Sequence, residues 1–432
     1  MNLDQMQIPL SWQIAPIATV FEFTIKPRKF DLAKNGNEIP FFPMDQIPIG
    51  SIYASNFTPK PIRQLGSGTY IENGDLLVAK ITPSFENGKQ AIVEIDQDFA
   101  FATTEVIPIR GRLNKSDTKF LFFYLLHPEV RADLAGKMEG STGRQRLSKS
   151  VLGDRRIPLP PLPEQKKIVH VLSTVQRAIE GQERIIETTT ELKKALMQKL
   201  FTEGLRGEPQ KQTEIGPVPE SWEVVALGSL AKVGNGSTPK RANDAYWEGG
   251  TIPWLNSTKI HDRFITEADQ FVTPQAVKEC HLPKVAPNSL LIAITGQGKT
   301  LGNSAITRVE TCINQHLAYA QFYSPKVVPD FVLWFMQTRY DYLRSIAHGG
   351  GSTKGALTCG FLKTLPIPVP STDEQKEFVA AFQTLEDKQN SAASKQLVLQ
   401  DLFRTLLHEL MTAKTRVNDI DFGNDILERQ AA

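Results

Sequence analysis

The sequence contains a long internal repeat. Residues 8–12 (IPLSW) return as residues 218–222 (VPESW), and the two tryptophans stand 210 positions apart (222 minus 12). Residues 157–166 (IPLPPLPEQK) return as residues 367–376 (IPVPSTDEQK) with the same shift of 210 (376 minus 166). A repeat of this length predicts a duplicated pair of domains rather than a solenoid of short units. We therefore expect an internal pseudo-two-fold repeat of two equivalent halves.

Each half begins with a long divergent segment that reads as mixed α and β structure. Short strand-like runs, such as residues 75–81 and 289–295, are separated by turn signals that include Asn-Gly and Gly-Gly pairs. An amphipathic helical stretch follows at 120–134, broken at Pro128, and at 331–346. The predicted fold class is α+β, with one mixed α/β domain in each half.

A proline-rich stop and then a long helix complete each half. The prolines block continuation of a helix or a central strand. Residues 164–201 and 374–411 contain no proline and only one glycine, Gly181, and each would extend roughly 57 Å as a helix. Their apolar residues alternate in steps of four and three, as in a coiled-coil seam. The seam residues are Ile168, Leu172, Val175, Ile179, Leu196, Leu200, Phe378, Phe382, Leu385, Leu399, Phe403, Leu406 and Leu410.

Polar residues interrupt both seams towards the middle of the helices. They are Gln182 in the first helix and Gln389 and Gln396 in the second. Polar seam residues favour one register at some cost in stability. Because each helix must bury its apolar stripe, the two are predicted to pair as an antiparallel coiled coil. The alternative is that each helix packs only on its own domain.

Composition restricts the class of protein more than it identifies it. There is no run of about 18 apolar residues, which argues against a membrane span, and no basic segment followed by an apolar one at the start, which argues against a signal peptide. Cys280, Cys312 and Cys359 lack the spacing of a disulfide scaffold or a zinc ribbon. We expect a cytoplasmic protein. Its net charge is only +2, so any phosphate-binding surface must be local.

Motifs for catalysis are not found in the sequence. There is no Asn/Asp-Pro-Pro-aromatic motif, no H-E-x-x-H pair and no G-x-S-x-G elbow. Gly298-Lys299-Thr300 ends like a phosphate-binding loop, but Ala293 stands where that motif requires glycine. Cys312 and His316 are too few ligands for a metal site, so a buried cysteine and a hydrogen-bonded histidine are expected. No catalytic residue, metal or cofactor is predicted.

The duplicated motifs resemble those of the specificity subunits of type I restriction-modification systems. The resemblance rests on the proline-rich turn and the Glu-Gln-Lys that opens a long helix, each present twice, and on the middle segment 201–222, which looks like the join between two halves. It covers nearly the whole chain. The tail from residue 418 has no counterpart in the first half.

The resemblance implies a non-catalytic, sequence-specific DNA-binding subunit. Two target-recognition domains, at 1–160 and 217–370, would each read one half of a bipartite, asymmetric site. Spacer helices at 161–202 and 371–412 would set the distance between the half-sites and dock methyltransferase subunits, of which two are expected; restriction subunits would join them. A linker at 203–216 and a tail at 413–432 complete the division.

Residues for DNA contact are chosen from cationic and amide side chains near glycine-rich turns, where the backbone can approach phosphate. In the first domain they are Lys60, Arg63, Lys80, Lys89, Arg144, Arg146 and Lys149, with Arg155 and Arg156 in the same basic stretch. In the second domain they are Lys240, Arg241, Lys299, Thr300, Asn303 and Lys354, with Lys363 as a further cation. A solvated basic loop is the alternative interpretation of these segments.

Two other functions stay open at this stage. A structural adaptor would use the long helices to bridge protein partners and would leave no DNA footprint, whereas phosphate contacts make DNA affinity fall steeply with salt. A stand-alone enzyme with an unfamiliar site would be active without partners.

Overall fold

A computed structural model describes residues 8–28, 37–141, 143–296, 298–349 and 355–417. The chain divides into two compact units: unit 1 comprises residues 1–185 and 392–432, and unit 2 comprises residues 186–391. Each unit therefore contains one head and part of each long helix. Head 1 denotes the described residues of 8–160, and head 2 those of 217–370.

Head 1 is built from short strands and short helices. In chain order they are β1 (Gln13–Pro16), α1 (Ile17–Val20), β2 (Phe21–Phe23), β3 (Glu38–Phe42), β4 (Tyr53–Ala54), β5 (Thr58–Pro61), β6 (Thr69–Glu72), β7 (Leu76–Ala79), β8 (Gln90–Val93), β9 (Phe99–Ala102), β10 (Val106–Gly111), α2 (Thr118–Leu126), α3 (Pro128–Ala135), α4 (Lys149–Asp154) and β11 (Arg156–Leu159). The first long helix, α5 (Leu162–Glu203), follows.

Head 2 has the same kinds of element. In chain order, beginning with a hairpin in the join between the halves, they are β12 (Gln210–Thr213), β13 (Gly216–Pro219), β14 (Glu223–Ala226), β15 (Ala231–Asn235), β16 (Ile252–Leu255), β17 (Phe264–Ile265), β18 (Gln270–Val272), α6 (Pro274–Glu279), β19 (Ser289–Ala293), β20 (Ser304–Thr307), β21 (Cys312–Ile313), β22 (Leu317–Phe322), α7 (Pro329–Thr338), α8 (Tyr340–His348), α9 (Cys359–Thr364) and β23 (Pro366–Val369). The second long helix is α10 (Thr372–Met411).

The two heads share one sheet plan. Head 1 has a five-stranded sheet in the order β2-β10-β7-β8-β4, and head 2 has β15-β22-β19-β20-β17. In both, the last strand of the order is parallel to its neighbour and the other pairs are antiparallel. A smaller sheet accompanies each, β5-β3-β9-β6 in head 1 and β18-β16-β21 in head 2. The predicted mixed α/β architecture with two related domains is confirmed.

The proline-rich segments before the long helices form strands. β11 pairs antiparallel with β1, and β23 with β14, in two sheets of two strands each. Both strands of a two-stranded sheet are edge strands. Edge strands tolerate proline although it has no backbone N–H to donate. The predicted helix at 331–346 is corrected in one detail, because it is divided at Arg339 into α7 and α8.

A buried Trp-Glu-Gln arrangement fastens head 1 to α5. We call it clamp 1: the indole Nε1 of Trp12 donates to Oε2 of Glu164 (3.0 Å), and the Glu164 carboxylate is 4% exposed. Gln165 accepts from the backbone N–H of Asp117 (2.9 Å) and donates to the carbonyls of Lys115 (3.1 Å) and Pro160 (2.8 Å). Because Asp117 caps α2, the start of the buried helix α2 is tied directly to the start of α5.

Clamp 2 repeats this arrangement in head 2. Trp222 Nε1 donates to Oε2 of Glu374 (3.2 Å). Gln375 accepts from the backbone N–H of Val328 (2.7 Å), at the N-cap of α7, and its amide donates to the carbonyls of Lys326 (2.7 Å) and Pro370 (2.9 Å). The repeated Trp and Glu-Gln of the sequence are therefore structural residues.

The clamps differ in the second partner of the glutamate. In unit 1, Arg416 forms a two-pronged ion pair with Glu164, with Nε to Oε1 at 2.6 Å and Nη2 to Oε2 at 3.0 Å. In unit 2, Glu374 Oε1 instead accepts from the backbone N–H of Leu205 at 3.3 Å. A paired carboxylate with charged hydrogen bonds is held more strongly than one with neutral donors.

In unit 1 the beginning of α5 lies against the end of α10. Ile168 and Leu172 share a core cluster with Leu407 and Leu410. Phe403 of α10 contacts Phe123 of head 1, with ring centroids 6.1 Å apart. Further along, Gln396 donates to Glu183 (2.9 Å).

In unit 2 the end of α5 lies against the beginning of α10. The ring of Phe201 contacts those of Phe378 (5.5 Å) and Phe382 (6.4 Å), and Gln389 donates to Thr190 (2.6 Å). The predicted packing of the two long helices on each other is confirmed. The seam glutamines Gln389 and Gln396 make cross-helix hydrogen bonds, which is how a polar seam residue favours one register.

The remaining seam residues are buried or half-buried. Ile168, Leu172, Ile179, Phe378, Phe382 and Leu410 are buried, and Val175, Leu196, Leu200, Leu385, Leu399, Phe403 and Leu406 are half-buried. Within the described ranges, no helix is long and apolar enough to cross a membrane.

A charged junction joins head 2 to both helices within unit 2. Glu386 of α10 pairs with Lys193 of α5 (3.3 Å) and with Arg263 of head 2. Both cations also lie over the ring of Trp334, at 5.6 Å for Lys193 and 4.7 Å for Arg263. Burial, with the nearby charge of Arg263, lowers the pKa of Lys193 to about 8. The Glu386 carboxylate offsets the charges of Lys193 and Arg263, which allows these two cations to lie together in a partly buried position.

Two histidines connect head 1 to α10 in unit 1. His127 Nε2 lies 3.1 Å from His408 Nδ1, and Lys414 Nζ lies 3.0 Å from His408 Nε2. Because Lys414 can only donate, Nε2 of His408 is the acceptor of that hydrogen bond. The N–H of His408 is then at Nδ1, and it donates a hydrogen bond to Nε2 of His127. Burial lowers the pKa of His127 to about 4. The charged or titratable groups near His127 are Glu129, His408 and Arg155.

We expect replacement of one clamp oxygen to destabilise clamp 1 more than clamp 2. Glu164→Gln leaves one acceptor oxygen for Trp12 and Arg416 together, so the free energy of unfolding should fall by about 1–3 kcal/mol and the melting temperature by about 3–8 °C. Glu374→Gln is the matched control and should lower the melting temperature about half as much, since the donors to Glu374 within the described ranges are the neutral N–H groups of Trp222 and Leu205. Calorimetry of the full chain measures both. Equal decreases would contradict the role assigned to Arg416.

We expect the His127–His408 contact to make the stability of unit 1 depend on pH. The unfolded chain binds a proton at His127 below its ordinary pKa of 6.5, while the folded state resists protonation down to about 4. Stability should therefore fall as the pH falls from 6.5 to 4. His127→Gln should reduce that loss by about 1–3 kcal/mol, whereas His348→Gln, at an exposed histidine, should not. Urea titrations at several pH values measure the free energy of unfolding. If this free energy depends on pH in His127→Gln as it does in the wild type, the prediction is refuted.

Candidate nucleic-acid interface

The predicted residues Lys299, Thr300 and Asn303 lie together in one loop of head 2. Loop 2 denotes the described residues of 294–303, which connect β19 to β20. Asn303 donates to the carbonyl of Lys299 (2.9 Å), and Thr300 Oγ1 lies 3.1 Å from His261 Nε2. The side chain of Lys299 is exposed. Loop 2 therefore presents an exposed cation, and its backbone is held by a hydrogen bond within the loop.

Helix α8 fixes the backbone of loop 2. Arg344 Nη1 donates to the carbonyls of Gly298 (2.7 Å) and Leu301 (3.3 Å), and the Tyr340 hydroxyl donates to the carbonyl of Lys299 (2.7 Å). Gly302 adopts a φ of +87° beside the Arg344 side chain, a backbone conformation that L side chains rarely adopt. These contacts hold the loop in one shape before any ligand arrives.

A small open pocket of about 160 Å³ borders loop 2. Its lining consists of Ile260, His261, Arg263, Gly302, Asn303, Ser304, Met336, Gln337 and Tyr340. Most of its surface is polar, so it is suited to water, phosphate oxygens or base edges rather than to an apolar ligand.

Lys240 and Arg241 lie at a different place in head 2, beside the small sheet. Both side chains are exposed. The Arg241 guanidinium lies over the rings of Trp247 (3.8 Å to the centroid) and Trp254 (4.9 Å) and donates to Gln270 Oε1 at 2.6 Å. Trp254 and Gln270 are cross-strand partners on β16 and β18. Arg241 is therefore held by neighbouring groups and is still an exposed residue.

Head 1 has a corresponding loop fixed by a buried arginine. Loop 1 denotes residues 80–89, which connect β7 to β8. Arg131, 9% exposed, donates to the carbonyls of Phe85 (2.5 Å) and Leu125 (2.7 Å) and to Gln90 Oε1 (2.9 Å). Burial lowers its pKa to about 10, so it remains a cation at neutral pH. It is satisfied by neutral oxygens, and it packs beside Gly88, whose φ is +83°.

Lys80 and Arg146 are brought together around Glu105. Arg146 forms a bidentate ion pair with Glu105, with both N–O distances 3.0 Å. The backbones also connect, because the Leu147 N–H donates to the carbonyl of Lys80 (2.7 Å) and the Lys80 N–H to that of Glu105 (2.9 Å). The hydrogen bond and charge of Arg146, with a contribution from Lys80, lower the pKa of Glu105.

The other predicted cations of head 1 are spread over its surface. Lys60 lies 3.5 Å over the ring of Phe41, and Lys149 lies 5.8 Å from the ring of Phe23. The ammonium of Lys89 donates to the carbonyl of Met44 (2.5 Å), which gives it a bond within the head. Arg63 and Arg144 are exposed. Arg155, by contrast, pairs with Asp133 (2.6 Å) and is only 11% exposed in its side chain.

Several residues that position the candidates were missed in the sequence. Arg131, Arg344, Trp247 and Gln270 carry no motif, and a single arginine in an amphipathic helix is usually solvated.

Lys354 lies outside the described residues. Cys312 is buried, which raises its pKa to about 11, and His316 is hydrogen-bonded to Thr295, as expected for the two.

Comparison with known proteins assigns the chain to a family. The family model for the Type I restriction modification DNA specificity domain matches residues 9–190 and again residues 219–398. The chain belongs to this family. The two matches follow the two halves of the internal repeat, and the resemblance noted in the sequence is confirmed.

Relatives of this family align over nearly the whole chain. The putative type I restriction enzyme MjaX specificity subunit of Methanocaldococcus jannaschii is 26% identical over 422 residues, which cover 95% of each chain. The type I restriction-modification S subunit from M. genitalium has a TM-score of 0.58 at 15% identity, over 95% of this chain and 98% of that one. A chain from a structure of type I R-M complex assembly and conformational transition has a TM-score of 0.52 at 19% identity, over 94% and 98%. At these identities the structures support a common fold.

For this specificity-domain chain we expect Glu105 to restrain the basic surface of head 1. Glu105→Gln removes the charge that pairs with Arg146, so DNA affinity should rise by about 3- to 10-fold at low salt. The slope of log affinity against log salt should steepen by about one. Glu86→Gln, on loop 1, is the matched control and should have the smaller effect. Titration of duplex DNA with the full chain measures both, and equal effects would place DNA contact away from Arg146.

Proposed function

We propose that the chain is the DNA-recognition subunit of a type I restriction-modification complex and is itself non-catalytic. The observation that carries this proposal is the duplicated match to the DNA specificity domain, one copy for each half. The proposal includes double-stranded DNA, methyltransferase subunits and restriction subunits as partners, in the cytoplasm. The proposed division into functional segments is that given by the sequence, with recognition domains at 1–160 and 217–370.

Each head would read its own half of a bipartite site. The sheet plans agree, but the candidate residues differ. Head 1 offers the exposed Arg63, Arg144, Arg146 and Lys149 with the half-buried Lys60 and Lys80, and head 2 offers the exposed Lys240, Arg241 and Lys299 with the half-buried Thr300 and Asn303. Equal frameworks with unlike surfaces favour two different half-sequences and thus an asymmetric site.

The long helices would act as a spacer between the half-sites. We propose that the pairings of α5 with α10 form one antiparallel coiled coil with pseudo-two-fold symmetry. The pairs Glu183–Gln396, Thr190–Gln389 and Lys193–Glu386 support it, because the two residue numbers add to 579 in every pair. Helices of 40 residues extend about 60 Å, somewhat under two turns of duplex.

A methyltransferase subunit would dock on the exposed apolar side of α10. Leu397, Val398 and Leu402 are 64%, 67% and 44% exposed, although each is apolar and lies on a helix whose other side is buried. Such a stripe is typical of a helix that meets a partner. Two methyltransferase subunits per chain are proposed from the duplicated plan.

The first test is a map of modified bases in genomic DNA from cells with and without this gene, with the methyltransferase partner expressed in both. Loss of methylation at one split motif in the deletion strain, restored by complementation, is the expected result. It would also reveal both half-sequences and their spacing. An unchanged map with an active partner would overturn the proposal and favour an adaptor.

A second prediction concerns the spacer. Insertion of one heptad into each long helix, at matched places near residues 186 and 392, lengthens the pair by about 10 Å and should increase the gap between half-sites by about three base pairs. Each half-sequence should stay the same. Insertion into α5 alone breaks the pairing and should abolish methylation. The modified-base map reads all three variants, and retention of the original spacing in the matched insertion would contradict the spacer role.

A further inference from the structure

Arg241 has the geometry of a residue that reads a base. Three groups fix its guanidinium: the face of Trp247 at 3.8 Å, the ring of Trp254 at 4.9 Å and the amide oxygen of Gln270 at 2.6 Å. We propose that Arg241 recognises a guanine in the half-site read by head 2, by donating to its O6 and N7 atoms. Trp247 and Gln270 are the positioning residues. This inference rests on the proposed function.

The two tryptophan rings that contact Arg241 are themselves held in place. The Trp247 indole N–H donates to the carbonyl of Lys240 (3.3 Å), and its ring meets that of Trp254 edge-on at 88°, with centroids 5.2 Å apart. Trp254 is 2% exposed and donates to the carbonyl of Ser237 (3.2 Å). The aromatic corner is therefore fixed before DNA binds, and little side-chain freedom is left for Arg241 to lose.

Most of the hydrogen-bonding capacity of Arg241 is still available. A guanidinium has five N–H groups, and in the described part of the chain the Arg241 side chain donates only one hydrogen bond, from Nη2 to Gln270. The residue as a whole is exposed. A planar fork with free donors matches the paired O6 and N7 acceptors of guanine, which is the commonest specific contact of arginine in the major groove.

The neighbouring Lys240 favours a base contact over a phosphate contact for Arg241. Lys240 is exposed and adjacent in sequence, and a flexible ammonium is sufficient as a point charge for phosphate. A simple charge contact does not need an arginine fixed against two rings and an amide. It does fix the direction of the N–H groups, on which base discrimination depends.

Head 1 has a cation over the corresponding aromatic strand residue, although Lys60 lies on β5 and Arg241 lies in a turn before β16. β3 and β16 are corresponding strands, since each lies between an antiparallel and a parallel neighbour in the small sheet. The aromatic residue is Phe41 on β3 and Trp254 on β16, and Lys60 lies over Phe41 at 3.5 Å. The cation on an aromatic strand residue is thus a shared feature, while only head 2 has the planar fork.

The test combines the methylation map with modified duplexes. Once the wild-type motif is known, each guanine of the site is replaced in turn by 7-deazaguanine, which retains base pairing and O6 but lacks N7. Binding is measured with the full chain in complex with its methyltransferase. In the wild type, one guanine of one half-site should weaken binding by about 10-fold or more when replaced. In Arg241→Ala, that replacement should have no further effect, and the penalties at all other guanines should persist.

Two further variants separate positioning from folding. Lys278→Ala, at an exposed lysine on α6 of head 2, is the control and should leave the Arg241-dependent penalty intact. Gln270→Leu keeps the arginine and both rings and should reduce that penalty without changing the others; it also serves if Arg241→Ala disturbs head 2. Persistence of every 7-deazaguanine penalty in Arg241→Ala, with weaker binding to all duplexes, would identify a phosphate contact and overturn the proposal. Unchanged binding in both Arg241→Ala and Gln270→Leu would also overturn it, as would a site with no G·C pair in the half read by head 2. Absence of any split motif would refute the proposed function itself.

Discussion

A carboxylate buried beside an indole N–H holds each head on its long helix. Glu164 and Glu374 are 4% and 3% exposed, and each accepts from a tryptophan that stands near the beginning of its own head. A buried carboxylate is unfavourable unless its oxygens are bonded, so the beginning of the head and the beginning of the helix must come together. The adjacent glutamine extends the constraint to the first turn of α2 or α7, the main buried helix of the head. Head, buried helix and long helix are therefore fixed at a single point.

From this fixed frame the heads present loops whose shape is set by arginines. Arg131 is buried and bonded to carbonyls of loop 1 and α2, while Arg344 reaches loop 2 from α8. In both cases a cation that could meet DNA is instead used to hold backbone. The residues left exposed on these loops and on the small sheets are then free to differ between the heads. A frame shared by the two heads, with different exposed residues on each, is a physical basis for two recognition surfaces in one chain.

Much of the fold and some of the candidate interface could be predicted from the sequence. The repeat, the mixed α/β heads and the packing of two long helices follow from spacing and from the need to bury an apolar stripe. The grouping of Lys299 with Thr300 and Asn303 also follows, because the three are close in sequence. The neutralisation of Arg146 by Glu105, the bond of Lys89 to Met44 and the burial of Arg155 against Asp133 do not follow, since each joins residues far apart in the chain. The division of the predicted helix at Arg339 was also not visible, as no proline or glycine marks it.

The duplication, the family and the helices can be recognised without coordinates, because they depend on periodicity and on short motifs. The roles of the repeated residues emerge from folding alone. The Trp and Glu-Gln motifs are clamps because folding brings positions 152 residues apart into one hydrogen bond. The fold likewise places Arg241 against two rings and an amide, which come from a turn and two strands. Charge is a property of the residue, but its direction and availability depend on the neighbours that the fold supplies.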